Sequence, residues 1–183
     1  MEAGPGGRPG VGTLGPMRIA IGSDHAGFAM KEVLSSALRD LGHQVADLGT
    51  DVPDVPVDYP DFGAAVAREV VGGGADLGVA VCGTGIGIAM AANKVPGARA
   101  AVVHDVTTAT LARRHNHANV LCFGSRTSGP TTAVDALAAF LAASPEHGRH
   151  DRRVQKLADL DNPSGGGRDA PTTPVLASTG GAQ

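Results

Sequence analysis

The chain has 183 residues, 42% hydrophobic and 18% charged, a length that suits one well-buried domain better than two. Its formal charge of −3, with 15 basic residues scattered apart from a short cluster near the C-terminus, argues against nucleic acid as a partner. Both cysteines, Cys82 and Cys122, sit in apolar stretches, no apolar run is long enough to span a bilayer, and the N-terminus lacks a basic-then-apolar leader pattern; a soluble cytoplasmic protein with no membrane partner is expected.

Residues 1–16 are rich in Gly and Pro, and residues 162–183 in Gly, Pro, Ser and Thr, so both read as disordered tails around a domain at 17–161. Met17 stands directly before the first apolar run and is a candidate start of the folded part. From there, strands are expected at 17–22, 44–48, 77–81, 98–103 and 120–123, alternating with helices at 28–41, 62–71, 86–93, 106–114 and 131–143. Such β-α alternation, with strands apolar on both faces, predicts an α/β fold: a three-layer αβα sandwich with a Rossmann-like parallel sheet of about five strands. A last helix is expected at 151–160, where Val154, Leu157 and Ala158 form an apolar stripe able to meet a neighbouring subunit.

Sheets of this kind bind ligands beyond the carboxyl ends of their strands. The segments there are Ser23-Asp24-His25-Ala26-Gly27, Gly49-Thr50-Asp51, Cys82-Gly83-Thr84-Gly85-Ile86-Gly87, His104-Asp105 and Gly124-Ser125-Arg126. The third carries the strongest local signal, because three alternating glycines between a strand and a helix let backbone N–H groups approach an anion closely. It is not a dinucleotide fingerprint, since Ile88 stands where the third glycine of that motif belongs, and no G-K-[ST] follows to make a P-loop. A tight turn that merely needs glycine is the bland alternative.

Cys82 faces this loop from a strand end, where the helix dipole favours a thiolate able to take a proton from carbon; a small space-filling hydrophobe is the other reading. Asp24-His25 offers a hydroxyl acceptor beside an imidazole, or only a helix cap. His115-Asn116, before the fifth strand, is equally ambiguous, and His117 completes a His-x-His without a carboxylate or cysteine at ligand spacing, so no metal is expected. Arg149 and Arg153, four apart, suit two guanidinium groups closing on one phosphate, or else form a solvated basic face.

Taken together, Gly22-Ser23-Asp24-His25-Ala26-Gly27, Asp58-Tyr59-Pro60-Asp61-Phe62, Cys82 to Gly87, Ala91-Ala92-Asn93-Lys94, Arg114-His115-Asn116 with Ala118-Asn119-Val120-Leu121, Gly124-Ser125-Arg126 and Arg149-His150…Arg153 resemble the type B ribose-5-phosphate isomerases, a family that includes the galactose-6-phosphate isomerase subunits. The resemblance runs from about Met17 to Leu160 and implies interconversion of ribose 5-phosphate and ribulose 5-phosphate through an enediolate. By that resemblance Cys82 is the base. Thr84, Asn116 and the amides of Gly83, Thr84, Gly85, Ile86 and Gly87 hold the enediolate charge. His115 opens the furanose ring with help from Asp24, and His25, Arg126, Arg149 and Arg153 grip the phosphate. No cofactor is implied. Some members use a Glu base four residues after a loop Ser; here those positions are Thr84 and Ile88, so the Cys-base variety is the match. A six-carbon sugar phosphate as substrate, or a non-catalytic sugar-phosphate-binding module, remains open.

Topology adds one expectation. A crossover helix at 106–114 starts at the carboxyl edge and runs back to the amino edge, which puts His115 and Asn116 a strand length, roughly 15–20 Å, from Cys82. If both belong to one site, the site is shared between subunits, in a homodimer or a dimer of dimers.

Overall fold

A computed structural model of the protein describes residues 15–161. The expected tails therefore lie almost entirely outside the described residues.

Five strands alternate with six helices: β1 Arg18–Ser23, α1 Phe28–Asp40, β2 Gln44–Asp47, α2 Tyr59–Val71, β3 Leu77–Cys82, α3 Ile86–Ala92, β4 Ala100–Val102, α4 Val106–Asn116, β5 Val120–Gly124, α5 Pro130–Ala142 and α6 Arg149–Asp161. A single 3-10 turn, His25–Gly27, leads into α1. Every strand pair is parallel and the order is β2-β1-β3-β5-β4, so the expected parallel sheet is present. The chain winds outward from β1 to β2 on one side and from β3 towards β4 on the other. The winding thus reverses between β1 and β3, and a crevice opens at their carboxyl ends.

Burial follows that order. β1, β3 and β5 are enclosed, whereas the edge strands β2 and β4 are half open to solvent. One face of the sheet packs Ile19, Ile21, Val79, Val81, Leu121 and Phe123 against α1, α4 and α5. The opposite face packs Ala20, Ala80, Cys82, Val120 and Cys122 against α2 and α3. Three layers result, as the apolar two-faced strands require.

Some boundaries differ from the expectation for local reasons. Helix α2 begins at Tyr59, three residues early, because Pro60 is at home in a first turn where no amide partner is needed. Helix α4 starts with a reciprocal Asp105–Thr108 capping box and continues through Asn116, ending where His117 takes a left-handed φ of 49°. Helix α6 rests against α4 of its own chain, while Leu157 and Leu160 stay 46% and 74% exposed.

Candidate functional site

At the carboxyl edge the three central strands deliver their ends side by side. Ser23 pairs with Val81 in the β1–β3 register, and Cys82 with Gly124 in the β3–β5 register. Asp24 donates its amide to the carbonyl of Val81 (3.3 Å), and its buried carboxylate accepts from the amide of Gly27 (2.9 Å). Asp24 therefore does cap the following turn, and it does so within the crevice. His25 Nδ1 lies against the backbone of Val57, 3.2 Å from its amide and 3.3 Å from its carbonyl, which fixes the ring in place.

The glycine loop is built by close approach. Gly85 holds φ +78°, and a Cβ there would sit 3.0 Å from the carbonyl carbon of Phe123. Its amide donates to Cys82 Sγ at 3.2 Å, the contact by which this loop can carry negative charge on sulfur. Thr84 is exposed at the tip, where its Oγ1 accepts from the amide of Ile86 (3.3 Å). On the far side, Ser125 and Arg126 donate their amides to the carbonyls of Cys82 and Gly83, both at 2.9 Å. The Arg126 guanidinium lies against Gly83, 3.4 Å from where a Cβ would be. Asp24, His25, Cys82 to Gly87 and Arg126 thus share one crevice. Cys122 lies lower on the same sheet face, fully buried, and burial together with the nearby Cys82 pushes its thiol far up, away from thiolate chemistry.

Tyr59 belongs here too. Its ring covers the loop so closely that a Cβ on Gly87 would stand 2.7 Å from it. Sequence reasoning set Tyr59 within a motif but gave it no role.

The remaining expected residues gather elsewhere. Asn116 closes α4 just before β5, whose first residue Val120 pairs with Gly78 and Ala100, at the amino edge of the sheet. His115, Asn116, Arg153 and His150 line a cavity of about 240 Å³ between α4 and α6. His115 and His150 stack with ring centroids 4.3 Å apart and planes at 11°, and the guanidinium of Arg149 donates to His150 Nε2 (3.3 Å). Within one chain, then, His115, Asn116, Arg149 and Arg153 come together, and they do so at the edge opposite Cys82.

Two residues in this second cluster escaped the sequence reading. His150 was visible only as part of a basic run. Glu146 had no local signal at all, yet it pairs with Arg114 and places Oε2 3.4 Å from His115 Nε2 and 3.7 Å from His150 Nε2. The Arg114 guanidinium holds the Glu146 carboxyl below the usual carboxylate range, and burial holds His150 below the usual imidazole range. A carboxylate does reach His115 after all, from 31 residues on, where spacing along a helix could not reveal it. His117 takes no part in the trio, since its Nε2 meets the carbonyl of Glu146 at 2.7 Å. Among the described residues, His115, Glu146 and His150 bring ligand atoms within 4.8 Å of one another. The Arg149 guanidinium, however, already occupies His150 Nε2, and Arg114 pairs with the Glu146 carboxylate, so two cations share the space an ion would need. Two guanidinium groups at the trio disfavour a bound cation.

Comparisons with known proteins agree on the family of the chain. The family model described as ribose/galactose isomerase matches residues 19–157. Ribose-5-phosphate isomerase B of Escherichia coli K12 is 42% identical over 144 residues, covering 79% of this chain and 96% of that protein. Galactose-6-phosphate isomerase subunit LacB of Clostridium acetobutylicum is 41% identical over 151 residues, covering 81% and 87%. Among solved structures, ribose-5-phosphate isomerase B of Clostridium thermocellum superimposes with a TM-score of 0.78 at 45% identity, covering 79% of this chain and 97% of that one. The type B ribose 5-phosphate isomerase of Trypanosoma brucei gives 0.76 at 42% identity, with 79% and 99% covered. By sequence and by fold alike, the chain belongs to the ribose/galactose isomerase family.

Proposed function

We propose that the protein interconverts ribose 5-phosphate and ribulose 5-phosphate, with Cys82 as the base that moves a proton between C1 and C2. The observation that carries this reading is the 3.2 Å contact from the amide of Gly85 to Cys82 Sγ, inside the glycine loop at the carboxyl edge of the sheet. A proton α to a carbonyl is weakly acidic, so the reaction needs a base and a set of donors that hold the enediolate more tightly than the carbonyl. Cys82 is the base; Thr84 and the amides of Gly83 to Gly87 are the donors. His115 opens the furanose ring with Asp24, Asn116 adds to the enediolate donors, and His25, Arg126, Arg149 and Arg153 bind the phosphate.

For these residues to meet, the second cluster must come from a partner subunit. The active form is therefore a two-fold homodimer, or a dimer of dimers, in which each Cys82 crevice is closed by the partner copy's α4 and α6. Two free cysteines and a phosphorylated sugar substrate suit the cytoplasm. No helix among the described residues is long and apolar enough to cross a membrane.

A coupled assay of the purified protein with ribose 5-phosphate and with allose 6-phosphate tests the reading. Turnover of the five-carbon sugar at the higher kcat/KM supports it, and a higher kcat/KM on the six-carbon sugar contradicts it. The six-carbon reading has its own support in the 41% identity to a galactose-6-phosphate isomerase subunit.

A further inference from the structure

We propose that Glu146 is the positioning residue that fixes His115 for ring opening, with His150 stacked behind it to hold the imidazole plane; this rests on the isomerase reading above. Glu146 is pinned before its side chain does anything. Its amide donates to the carbonyl of Arg114 (2.8 Å), and its carbonyl meets His117 Nε2 (2.7 Å), which ties the loop before α6 to the end of α4. The carboxylate is then divided between partners. Oε1 goes to the Arg114 guanidinium, and Oε2 faces the two stacked imidazoles.

Hydrogen-bond bookkeeping decides which imidazole Oε2 serves. His150 Nε2 already accepts from Arg149, so it has no proton to offer the carboxylate. His115 Nε2, in ion-pair contact at 3.4 Å, is the nearer nitrogen and the one left free to face Oε2 with its proton. Holding the proton on Nε2 leaves Nδ1 as the bare nitrogen of His115, which is the group a ring-opening base needs. The charged and titratable neighbours on the elements around His115 are Arg114 on α4, His117 after it, Glu146 and His147 in the loop, and Arg149, His150, Asp151 and Arg153 on α6. Burial lowers the proton affinity of His150, which keeps a positive charge from forming against the face of the His115 ring.

The step balances within the sugar. Nδ1 of His115 takes the proton of the anomeric hydroxyl O1, the C1–O4 bond breaks with its electron pair passing to O4, and the imidazolium returns the proton to O4. An open aldehyde results, ready for proton abstraction at C2. Glu146 stays ionised throughout and never touches the sugar, as an orienting carboxylate beside a catalytic imidazole does.

The test uses a chemical asymmetry between the two sugars. Ribose 5-phosphate closes through O4 into a furanose, whereas ribulose 5-phosphate cannot close a five-membered ring because O5 carries the phosphate. Initial rates are measured in both directions with the full-length protein, Glu146→Gln and Glu146→Asp, over a range of enzyme concentrations reaching well above the point where wild-type turnover outruns spontaneous ring opening. For E146Q the aldose rate should level off as enzyme is added, at least about tenfold below wild type, while the ketose rate stays proportional to enzyme and within about threefold of wild type. E146D, which keeps a carboxylate, should recover part of the loss. An E146Q aldose rate that keeps pace with wild type overturns the proposal, and so does an equal fall in both directions that remains proportional to enzyme. A wild-type protein that interconverts neither sugar overturns the isomerase reading itself, and the two failures are thereby told apart.

Discussion

The two ends of the sheet assemble chemistry by different means. At the carboxyl edge, three adjacent strand ends and a run of glycines do the work: the Cys82 sulfur is met by a backbone amide, and the segment after β5 locks the loop through the carbonyls of Cys82 and Gly83. At the amino edge, side chains from α4, the following loop and α6 hold one another, in the chain Arg114–Glu146–His115 with His150 stacked on it. Backbone placement is rigid and intolerant of added atoms. Side-chain placement is adjustable and depends on charge, so the two regions should fail in different ways when altered.

The largest expected effect lies at the first region. Cys82→Ala should cut kcat by about 10²–10⁴-fold with a much smaller change in KM, because a general base acts chiefly in the transition state. Near-normal turnover in the coupled assay would move the base elsewhere. At the second region the double change Arg149→Ala, Arg153→Ala should act mainly on KM, raising it about tenfold or more, since charge-assisted hydrogen bonds to a phosphate are worth about 1.5–3 kcal/mol and are made equally in ground and transition states. An unchanged KM would reduce the pair to a solvated basic face.

Stability should separate the regions as well. A Cβ at Gly124 would stand 2.4 Å from the backbone carbon of Thr84, so Gly124→Ala should cost about 1–3 kcal/mol in chemical denaturation and displace the Cys82 loop. Gly148, ahead of α6, has φ +74° and open space around it, so Gly148→Ala should cost no more than about 1–2 kcal/mol, from backbone strain alone. Equal losses would show that the carboxyl-edge loop is less tightly built than its contacts indicate.

The smallest expected effect is a pH dependence confined to the second region. His150 has a lowered proton affinity in the folded state, so below its ordinary value of 6.5 the unfolded chain binds protons more readily than the native one. Its neutral, buried form therefore favours folding above pH 6.5 and progressively less below it. The melting temperature should fall between pH 7.5 and 5.5, and His150→Gln should flatten that slope; an unaltered slope would remove His150 as its source.

The same contrast explains what could be read in advance. The carboxyl edge was legible because its residues are contiguous in sequence: Cys82 to Gly87 is one loop after one apolar strand, and Asp24-His25 follows another. Strand order was not, since nothing local states that β5 inserts between β3 and β4; the pairing of Val120 with both Gly78 and Ala100 is a tertiary fact. The amino edge was legible only in fragments. His115-Asn116 and Arg149…Arg153 stood out as motifs, but their meeting through Glu146 depends on how the loop before α6 folds back on α4. Tyr59 was missed for a related reason, because a lone aromatic at a helix start carries no periodic signal, and its place over Gly87 follows from the packing of α2 against α3.

The central claim is that each site draws one half from each of two subunits, and subunit exchange tests it most directly. Cys82→Ala and His115→Ala proteins, each inactive alone, are mixed, allowed to exchange, and assayed after mass measurement confirms mixed dimers. In a mixed dimer one site carries both lesions and the other carries none, so random exchange should restore about a quarter of wild-type activity. Confirmed mixed dimers with no recovered activity, or a fully active wild-type monomer, would contradict the account.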